Sequence, residues 1–572
     1  MEKQYYFERN LLSLSIYNPE LCKRLSSAQT TLNYYKFIDS KNGERIPAWI
    51  DKAGQAHILH SFVDPVREAE KLIAALNTEG YVIILGLGAG CLAEAALRRD
   101  DIHKVVVIDY NLNSIAELLC SREYVTLFSD PRFSLLIDTD CNAIKSYIIE
   151  NYNPCIHNGI RLLPLRVRCD FDQERFFAAS DAVKQAIDSV SSDYSVQTSF
   201  GRRWFSNIIR NLRAAEEQRI VVPPVKRAAV CAAGPSLDTQ FDILKEQRKN
   251  LFVIASDTAL SSLIAADIKP DAVISIDCQH ISYLHFMNNN IDDITLFLDL
   301  ASPPLLTSRT KKNFFFASGH PFTHYICTRF RGLPVLDTSG ANVAFAGVSL
   351  AQALGAQTIE LYGADFSYPQ GMTYTRGAYF YPYLSRRQNR FLPVESQLAD
   401  FLFKTPSLSK IQTDTGYYYE THSLAMYRRK LELKAQSSSV KIIPARGIGS
   451  RLCIERKQND NTMNPKTFDN TIKLFSGGKA LLSADVFLRN YSRMIEALPL
   501  PGAYIEQYIQ KLSHSEKTIW TTLLPVAAAV KYRENIHLNI ELIRIVKEFC
   551  ITEIEKVLNS GGSQRPPVDN PL

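Results

Sequence analysis

Between residues 81 and 110 the chain passes from a strand-length apolar run to a helical pattern and back. Tyr81–Leu85 is continuously apolar, Gly86-Leu87-Gly88-Ala89-Gly90 is a turn, Cys91–Arg99 is rich in Ala and Leu, and Val105–Ile108 is a β-branched run ending at Asp109. This order predicts a βαβ unit. Leu135–Asp138 adds a further strand and Gln173–Val190 a helix, and a polar, Arg-bearing helix over Arg202–Arg219 ends at Val221-Val222-Pro223-Pro224. The two prolines mark a boundary. A second alternation then begins. Strands are predicted at Ala228–Ala232, Leu251–Ala255, Ala272–Ile276, Thr295–Leu298, Asn313–Ala317 and Thr358–Leu361, with helices between them, notably one through Lys245 and one over Val343–Leu354. Strands alternating with helices imply a mostly parallel, doubly wound sheet. From Gln458 the pattern changes: 458–480 is polar and carries Gly477-Gly478, and Ala484–Leu498, Ala503–Ser513 and Val526–Leu558 repeat apolar residues at three and four positions. The end, from Gly561 to Pro571, is predicted to be disordered.

At 572 residues one compact domain is excluded as the default, because single cores stop growing beyond about 250–300 residues. The composition is 46% hydrophobic and 22% charged, that of a chain able to bury sizeable cores. A net charge of +6 spread over so large a surface predicts no general nucleic-acid binding. The eleven cysteines stand singly with no C-x-x-C pair, fitting a reducing cytoplasm better than a zinc site or a disulfide framework. The first residues, Met1-Glu2-Lys3-Gln4-Tyr5, lack the pattern of a secretory signal, and no stretch approaches the ~20 apolar residues of a membrane span.

Ligands on doubly wound sheets bind beyond the carboxyl ends of strands, so the turns there carry the candidate chemistry. In the first unit these are Gly86–Gly90 and Asp109, which either cradle a nucleotide or methyl donor, with the acid on a ribose hydroxyl, or serve plain strand-to-helix packing. In the second they are Gly234-Pro235-Ser236, Ser256-Asp257, Asp277 and Gly363–Asp365. Ala-Gly-Pro-Ser turns the chain sharply, and Ser236 or Asp238 is placed to cap the helix that follows. The stretch Tyr368–Tyr427 holds nine of the 27 tyrosines, a local excess of groups that donate hydrogen bonds to a departing phosphate or pack as loop walls. No H-E-x-x-H or clustered His/Cys pattern predicts a metal site.

Several separated blocks carry a resemblance. Cys231-Ala232-Ala233-Gly234-Pro235-Ser236-Leu237-Asp238, Ala255-Ser256-Asp257-Thr258-Ala259-Leu260, Lys269-Pro270-Asp271 and Ile274-Ser275-Ile276-Asp277 resemble the central domain of the motility-associated factor (Maf) flagellin glycosyltransferases. That domain is also similar to 6-hydroxymethylpterin diphosphokinases and to Campylobacter-type sialyltransferases. Thr338-Ser339-Gly340, Ala353-Leu354-Gly355 and Ile359–Phe366 resemble the second half of the sialyltransferase fold. The resemblance covers about residues 200–450.

It implies a glycosyltransferase that is inverting and CMP-sugar dependent, with flagellin and a CMP-nonulosonic acid as partners and no required cofactor, Mg²⁺ remaining possible. It places Gly234, Pro235, Ser236, Asp257, Asp277, Ser339, Gly340 and Asp365 around the nucleotide. Where Asp257 stands the sialyltransferases typically carry Asn. Tyr374, matched through Gly371, and Tyr368, matched with a one-residue shift, would assist the departing phosphate. His422, in His422-Ser423, corresponds to the general base, a role that the ordinary near-neutral titration of a histidine side chain suits, with His320 and His324 as rivals. The sialyltransferase arginine before Thr-Ser-Gly is replaced by Leu336-Asp337, leaving Arg329 and Arg331 as candidates for a sugar carboxylate.

The expected architecture is α/β in three parts: an N-terminal Rossmann-like domain over 1–195, a central doubly wound, sialyltransferase-like (GT-A-like) catalytic domain over 196–457 and a helical C-terminal domain over 458–572. The expected function is cytoplasmic O-glycosylation of flagellin Ser or Thr. Two alternatives stand beside it: pyrophosphate transfer as in the pterin diphosphokinases, and a non-catalytic flagellin-binding chaperone or scaffold.

Overall fold

The computed structural model describes residues 2–560 apart from 31–32, 77–79, 158, 219–220, 406, 415, 455–474, 476–478, 501–507, 509–510 and 537–538. The polar stretch 458–480, Phe475 and the last two residues aside, most of the helix expected over 503–513, and the tail from 561 lie outside the described residues. The chain packs as two units. One comprises Met1–Ser199, Pro501–Lys511 and Ala527–Leu542; the other comprises Phe200–Leu500, Leu512–Val526 and Ile543–Leu572.

In the first unit, three short strands, β1 (Tyr35–Asp39), β2 (Arg45–Ile50) and β3 (Ala56–Ile58), form an antiparallel meander. The expected βαβ unit follows as β4 (Gly80–Leu85), the helix Cys91–Leu97 and β5 (Ile102–Asp109), joined by β6 (Phe133–Ile137) and β7 (Gly159–Pro164) in the parallel order β6-β5-β4-β7. β4 is buried along its whole length, which is why it reads as an unbroken apolar run instead of an alternating one.

The helices expected at Gln173–Val190 and Arg202–Arg219 are one 45-residue helix, Gln173–Glu217. The polar Ser191–Phe200 between them stays helical, since no Pro interrupts the backbone hydrogen bonds there. Gly201 is needed for contact: a Cβ there would collide with the carbonyl of Pro525.

The second unit is built on seven parallel strands. β8 (Arg227–Cys231), β9 (Phe252–Ser256), β10 (Ala272–Ser275), β11 (Thr295–Asp299), β12 (Asn313–Phe316) and β13 (Thr358–Tyr362) lie within a residue of their expected positions. The spatial order is β12-β11-β10-β9-β8-β13 and then a strand the sequence pattern does not reveal, Lys441–Pro444. From β8 the chain winds outward through β9 to β12, then crosses to the opposite side at β13. The gap between β8 and β13 is therefore the topological switch point, where crevices open on such sheets. The helix Val343–Ala353 covers one face, and its Gly347 lets it close on Val230 of β8.

Three further strands are β14 (Tyr368–Pro369), β15 (Ser409–Thr413) and β16 (Gly416–Glu420), which make a small antiparallel sheet in the order β14-β16-β15; the seventh parallel strand, Lys441–Pro444, is β17. Near the chain end, Ala484–Ala497 is helical as expected, whereas the helix predicted over Val526–Leu558 is two: His514–Glu534, with Pro525 inside it, and Ile540–Asn559. Asn535, at φ 49°, ends the first. No helix among the described residues is long and apolar enough to cross a membrane, and the cysteines are all free thiols.

Candidate functional site

At the switch point, β8 runs into Ala232-Ala233-Gly234-Pro235-Ser236, and β13 into Gly363-Ala364-Asp365. The two turns are laced together: Ala232 N–H donates to Tyr362 O at 2.8 Å and Gly234 N–H to Gly363 O at 2.9 Å. Gly234 and Gly363 are glycines because a Cβ on either would strike the other turn's backbone. Asp365 accepts the Ser236 N–H at 2.8 Å and also the Ser236 hydroxyl. Both side chains are buried, and burial pushes the Asp365 carboxyl up despite these donors. Ser236 starts the helix Leu237–Gln247 without capping it, because its hydroxyl is committed to Asp365 and accepts the Ile448 N–H at 2.8 Å. Thus the Gly-Pro-Ser turn, expected to lie at the nucleotide, already holds a carboxylate of its own chain.

Reactive groups gather beside it, beyond β9 and β10. Asp257, buried at the end of β9, accepts the Ser275 hydroxyl at 2.7 Å and the Thr258 N–H at 2.8 Å. Asp277 follows β10 by two residues. Burial, and then the negative charge of Asp257, push its carboxyl up. This end of the sheet is clamped by the long helix: Asn207 donates to Cys278 O at 3.0 Å and Ala301 O at 2.8 Å, and Asn211 to Leu300 O at 2.9 Å and Ser302 O at 2.8 Å.

The tyrosine-rich segment reaches the same place. Thr375 N–H donates to Ala233 O at 2.9 Å, and Asp238 accepts both the Thr375 hydroxyl and the Arg376 N–H, the latter at 3.1 Å. The loop is thereby tied to the turn after β8. Burial pushes the Tyr374 phenol up, with further contributions from Tyr368, Tyr379 and Asp257; Tyr379 is raised by burial, Asp257 and Asp277. Phenols so placed keep their protons at neutral pH and act as hydrogen-bond donors. Tyr379, one of the tyrosine-rich stretch that the sequence does not single out, stands among these groups, edge-on to His285 at a ring distance of 4.2 Å. His285 is likewise invisible in the sequence: it lies in the short 3₁₀ helix His280–Phe286, which carries no motif. Its Nδ1 is buried with no hydrogen-bond partner among the described residues, and its charge bears on Asp277.

The remaining candidates are spread more widely. His422 is the first residue of the helix His422–Ser437, capped by Thr421. It is exposed, and its ring has no hydrogen-bond partner among the described residues. The strand before it, β16, pairs with β14, setting Tyr368 opposite Tyr419, and Tyr427 of the same helix raises the Tyr368 phenol after burial does. Ser339 is exposed and bonded to Asp337 at 2.7 Å, and Lys430 donates to Ser339 O at 2.7 Å. Gly340 is buried against Phe345.

Arg331 is not available for a sugar carboxylate. It is 2% exposed, and its guanidinium donates to the carbonyls of Ala215, Glu216 and Gln218 at 2.5, 3.1 and 2.7 Å, satisfying the carboxyl end of the long helix. Arg329 is exposed. Of the rival histidines, His320 packs tilted against Trp204 at a ring distance of 4.1 Å and its charge bears on the buried Asp299, while His324 is exposed.

The loop after β17, Arg446–Ser450, also went unseen in the sequence, because β17 is four residues long and lacks a motif. Its Gly447 and Gly449 allow close approach to Ser236 and Asp365, and Ser450 N–H donates to Asp365 O at 2.9 Å. No group of three or more His, Cys, Asp or Glu arranged as metal ligands occurs among the described residues.

In the other unit the Gly86–Gly90 turn is filled by its own surroundings. Gly86, Gly88 and Gly90 have φ of 94°, 53° and 82°. Cβ atoms on them would meet Arg168, His60 with Leu165, and Tyr124 respectively. Asp109 is fully buried, pairs with Arg168 at 2.8 Å and accepts the Leu87 N–H at 2.7 Å. It is spent on holding the turn, so it does not present itself to a ribose, and the packing alternative accounts for this motif.

Comparison with known proteins bears on both units. Residues 202–371 match the family of 6-hydroxymethylpterin diphosphokinase MptE-like proteins. Uncharacterized proteins of Treponema pallidum (strain Nichols) are 33% identical over 152 residues, which is 26% of this chain and 54% of the relative, and 31% identical over 139 residues, 24% and 66% respectively. The chain thus spans about half the length of the first of them. The Maf glycosyltransferase from Magnetospirillum magneticum AMB-1 is similar in structure over 97% of this chain and 95% of its own, with a TM-score of 0.58 at 12% identity. Over residues 202–371 the chain is thus similar to the MptE-like family, and it shares its fold with a Maf glycosyltransferase.

Proposed function

We propose that the chain is a protein O-glycosyltransferase that moves a nonulosonic acid, a sialic-acid-like nine-carbon sugar, from its CMP-activated form to Ser or Thr of flagellin in the cytoplasm. The observation that carries this reading is the gathering of Asp257, Asp277, Tyr374 and Tyr379 beyond the carboxyl ends of β9 and β10. The likeness in fold to a glycosyltransferase over nearly the whole chain supports it. The acceptor hydroxyl oxygen bonds to the anomeric carbon as the bond from that carbon to the phosphate oxygen breaks. CMP leaves with the electron pair, and the hydroxyl proton passes to His422. Tyr374 and Tyr368, kept protonated, donate to the departing phosphate, a task that requires no metal. Asp257, Asp277 and Ser339-Gly340 hold the nucleoside, while Ser236 and Asp365 brace the turn beneath it. Arg329 remains the candidate for the sugar carboxylate.

Purified chain, flagellin and the CMP-sugar should yield flagellin heavier by whole sugar residues in intact-mass spectrometry, and His422→Ala should abolish the gain. Transfer undiminished in that variant removes His422 from the mechanism. The MptE-like match keeps pyrophosphate transfer from ATP as a second reading. Thermal stabilisation by ATP with Mg²⁺, and none by CMP, would move the assignment there.

A further inference from the structure

The segment between Tyr374 and Tyr417 projects a helical hairpin, Phe380–Ser385 and Val394–Phe403. Its base is buried through Leu384 and Leu402. Its outer surface is apolar where solvent should be: Tyr383, Leu392, Phe401 and Phe403 are exposed, and Phe391, at the tip, is 90% exposed. The tip is a closed turn. Asn389 exchanges backbone hydrogen bonds with Leu392 at 3.1 and 3.3 Å, and its side chain accepts the N–H groups of Phe391 at 2.9 Å and Leu392 at 3.1 Å. Gln397 ties the arms together by donating to Leu384 O at 3.4 Å and Leu392 O at 3.3 Å. A phenyl ring held in water on so constrained a turn is pre-organised for a pocket on something else.

Charge narrows the occupant. From Tyr374 through Val394 there is no carboxylate, while Arg376, Arg386, Arg387 and Arg390 all lie in this span; of the two acids further along the second helix, Glu395 and Asp400, the latter is paired with Lys404 at 2.6 Å. Among the described residues Arg386, Arg387 and Arg390 form no ion pair; Arg387 rests on Tyr383. The hairpin is also continuous with the candidate site. Phe380 packs on Tyr374 and on Phe401, each at 5.4 Å, and Tyr381 donates to Tyr374 O at 3.1 Å. We infer that the hairpin is the docking element for the acceptor polypeptide, with Phe391 and Leu392 entering an apolar pocket rimmed by carboxylates and Arg386 and Arg390 pairing with that rim. This rests on the glycosyl-transfer reading for the identity of the occupant, and on the hairpin alone for the existence of the surface.

Full-length chain and the variants Phe391→Ser/Leu392→Ser and Arg390→Glu test it. Affinity for purified flagellin is measured at low and moderate salt, CMP release from the donor into water without flagellin is followed separately, and sedimentation with phosphatidylglycerol vesicles is the third arm. Both variants should lose at least about tenfold in flagellin affinity, with the Arg390→Glu loss shrinking as salt rises and CMP release unchanged. Unaltered flagellin affinity in both variants, no flagellin binding by the parent chain, or vesicle binding that the variants abolish would each overturn the docking assignment. Absence of CMP release by the parent chain even with flagellin present would instead count against glycosyl transfer, while the binding arm still decides the surface.

Discussion

Asp365 sits on the Ser236 turn as an anion would, accepting its N–H at 2.8 Å and its hydroxyl as well. The Ser236 oxygen in turn accepts the Ile448 N–H, and Asp365 O the Ser450 N–H. One hydroxyl therefore joins the ends of β8, β13 and β17.

Ser236→Ala should loosen the third of these ends. The substitution leaves a buried carboxylate short of one donor and the Ile448 N–H without its acceptor, at a local cost of ~2 kcal/mol. Hydrogen exchange at the Ile448 and Ser450 amides should accelerate by roughly thirtyfold, while amides within β8 and β9 keep their protection. Unchanged protection at Ile448 would mean that the loop is held by other contacts.

Tyr374→Phe should lower turnover with little change in donor affinity. The phenol is held protonated by burial and by its neighbours Tyr368, Tyr379 and Asp257, and losing one pre-organised donor to a developing phosphate charge costs about 10²–10³ in kcat. Steady-state kinetics on the CMP-sugar distinguish this from packing: a variant whose KM rises at constant kcat would place Tyr374 in binding only.

The position of Tyr374 is set one residue further on. Thr375→Val keeps the shape of a fully buried side chain but removes the hydroxyl that Asp238 accepts. Small displacements of a reacting group are costly, so kcat should fall by about tenfold. In a Tyr374→Phe background the same substitution should do nothing further, because it acts through the phenol. Additive losses in this double-mutant cycle would show that Thr375 works independently.

Strand positions in the central sheet were legible because parallel strands buried on both faces are continuous apolar runs bounded by turns. Asp257 and Asp277 were legible for the same reason: each stands just past such a run. What hid from the sequence was long-range or short. β17 is four residues without a motif, and nothing local says that Arg446–Ser450 will fold back on Asp365. Arg331 looked like a ligand-binding arginine because a sequence does not display the helix end whose carbonyls it satisfies. Ser236 looked like a helix cap because Asp365, its partner, is 129 residues away.

His60 offers a test of the glycine-rich turn in the other unit. Its Nε2 accepts the Ala89 N–H at 2.9 Å, which only the neutral ring can do. Burial, aided by the charge of Arg122, lowers its pKa to about 4. The unfolded chain takes up a proton at this residue as pH falls through about 6.5, whereas the folded chain stays neutral until about 4. Between those values the unfolded state binds more protons, so stability is full above pH 6.5 and declines toward pH 4, by roughly 3 kcal/mol in all. After correction for intrinsic exchange rates, amides of β4 should lose about a hundredfold in protection between pH 7 and pH 4.5 through this residue. His60→Asn retains an acceptor for Ala89 but cannot titrate, so its β4 amides should lose that much less. Equal losses in the two proteins would show that another group governs the acid sensitivity of this unit.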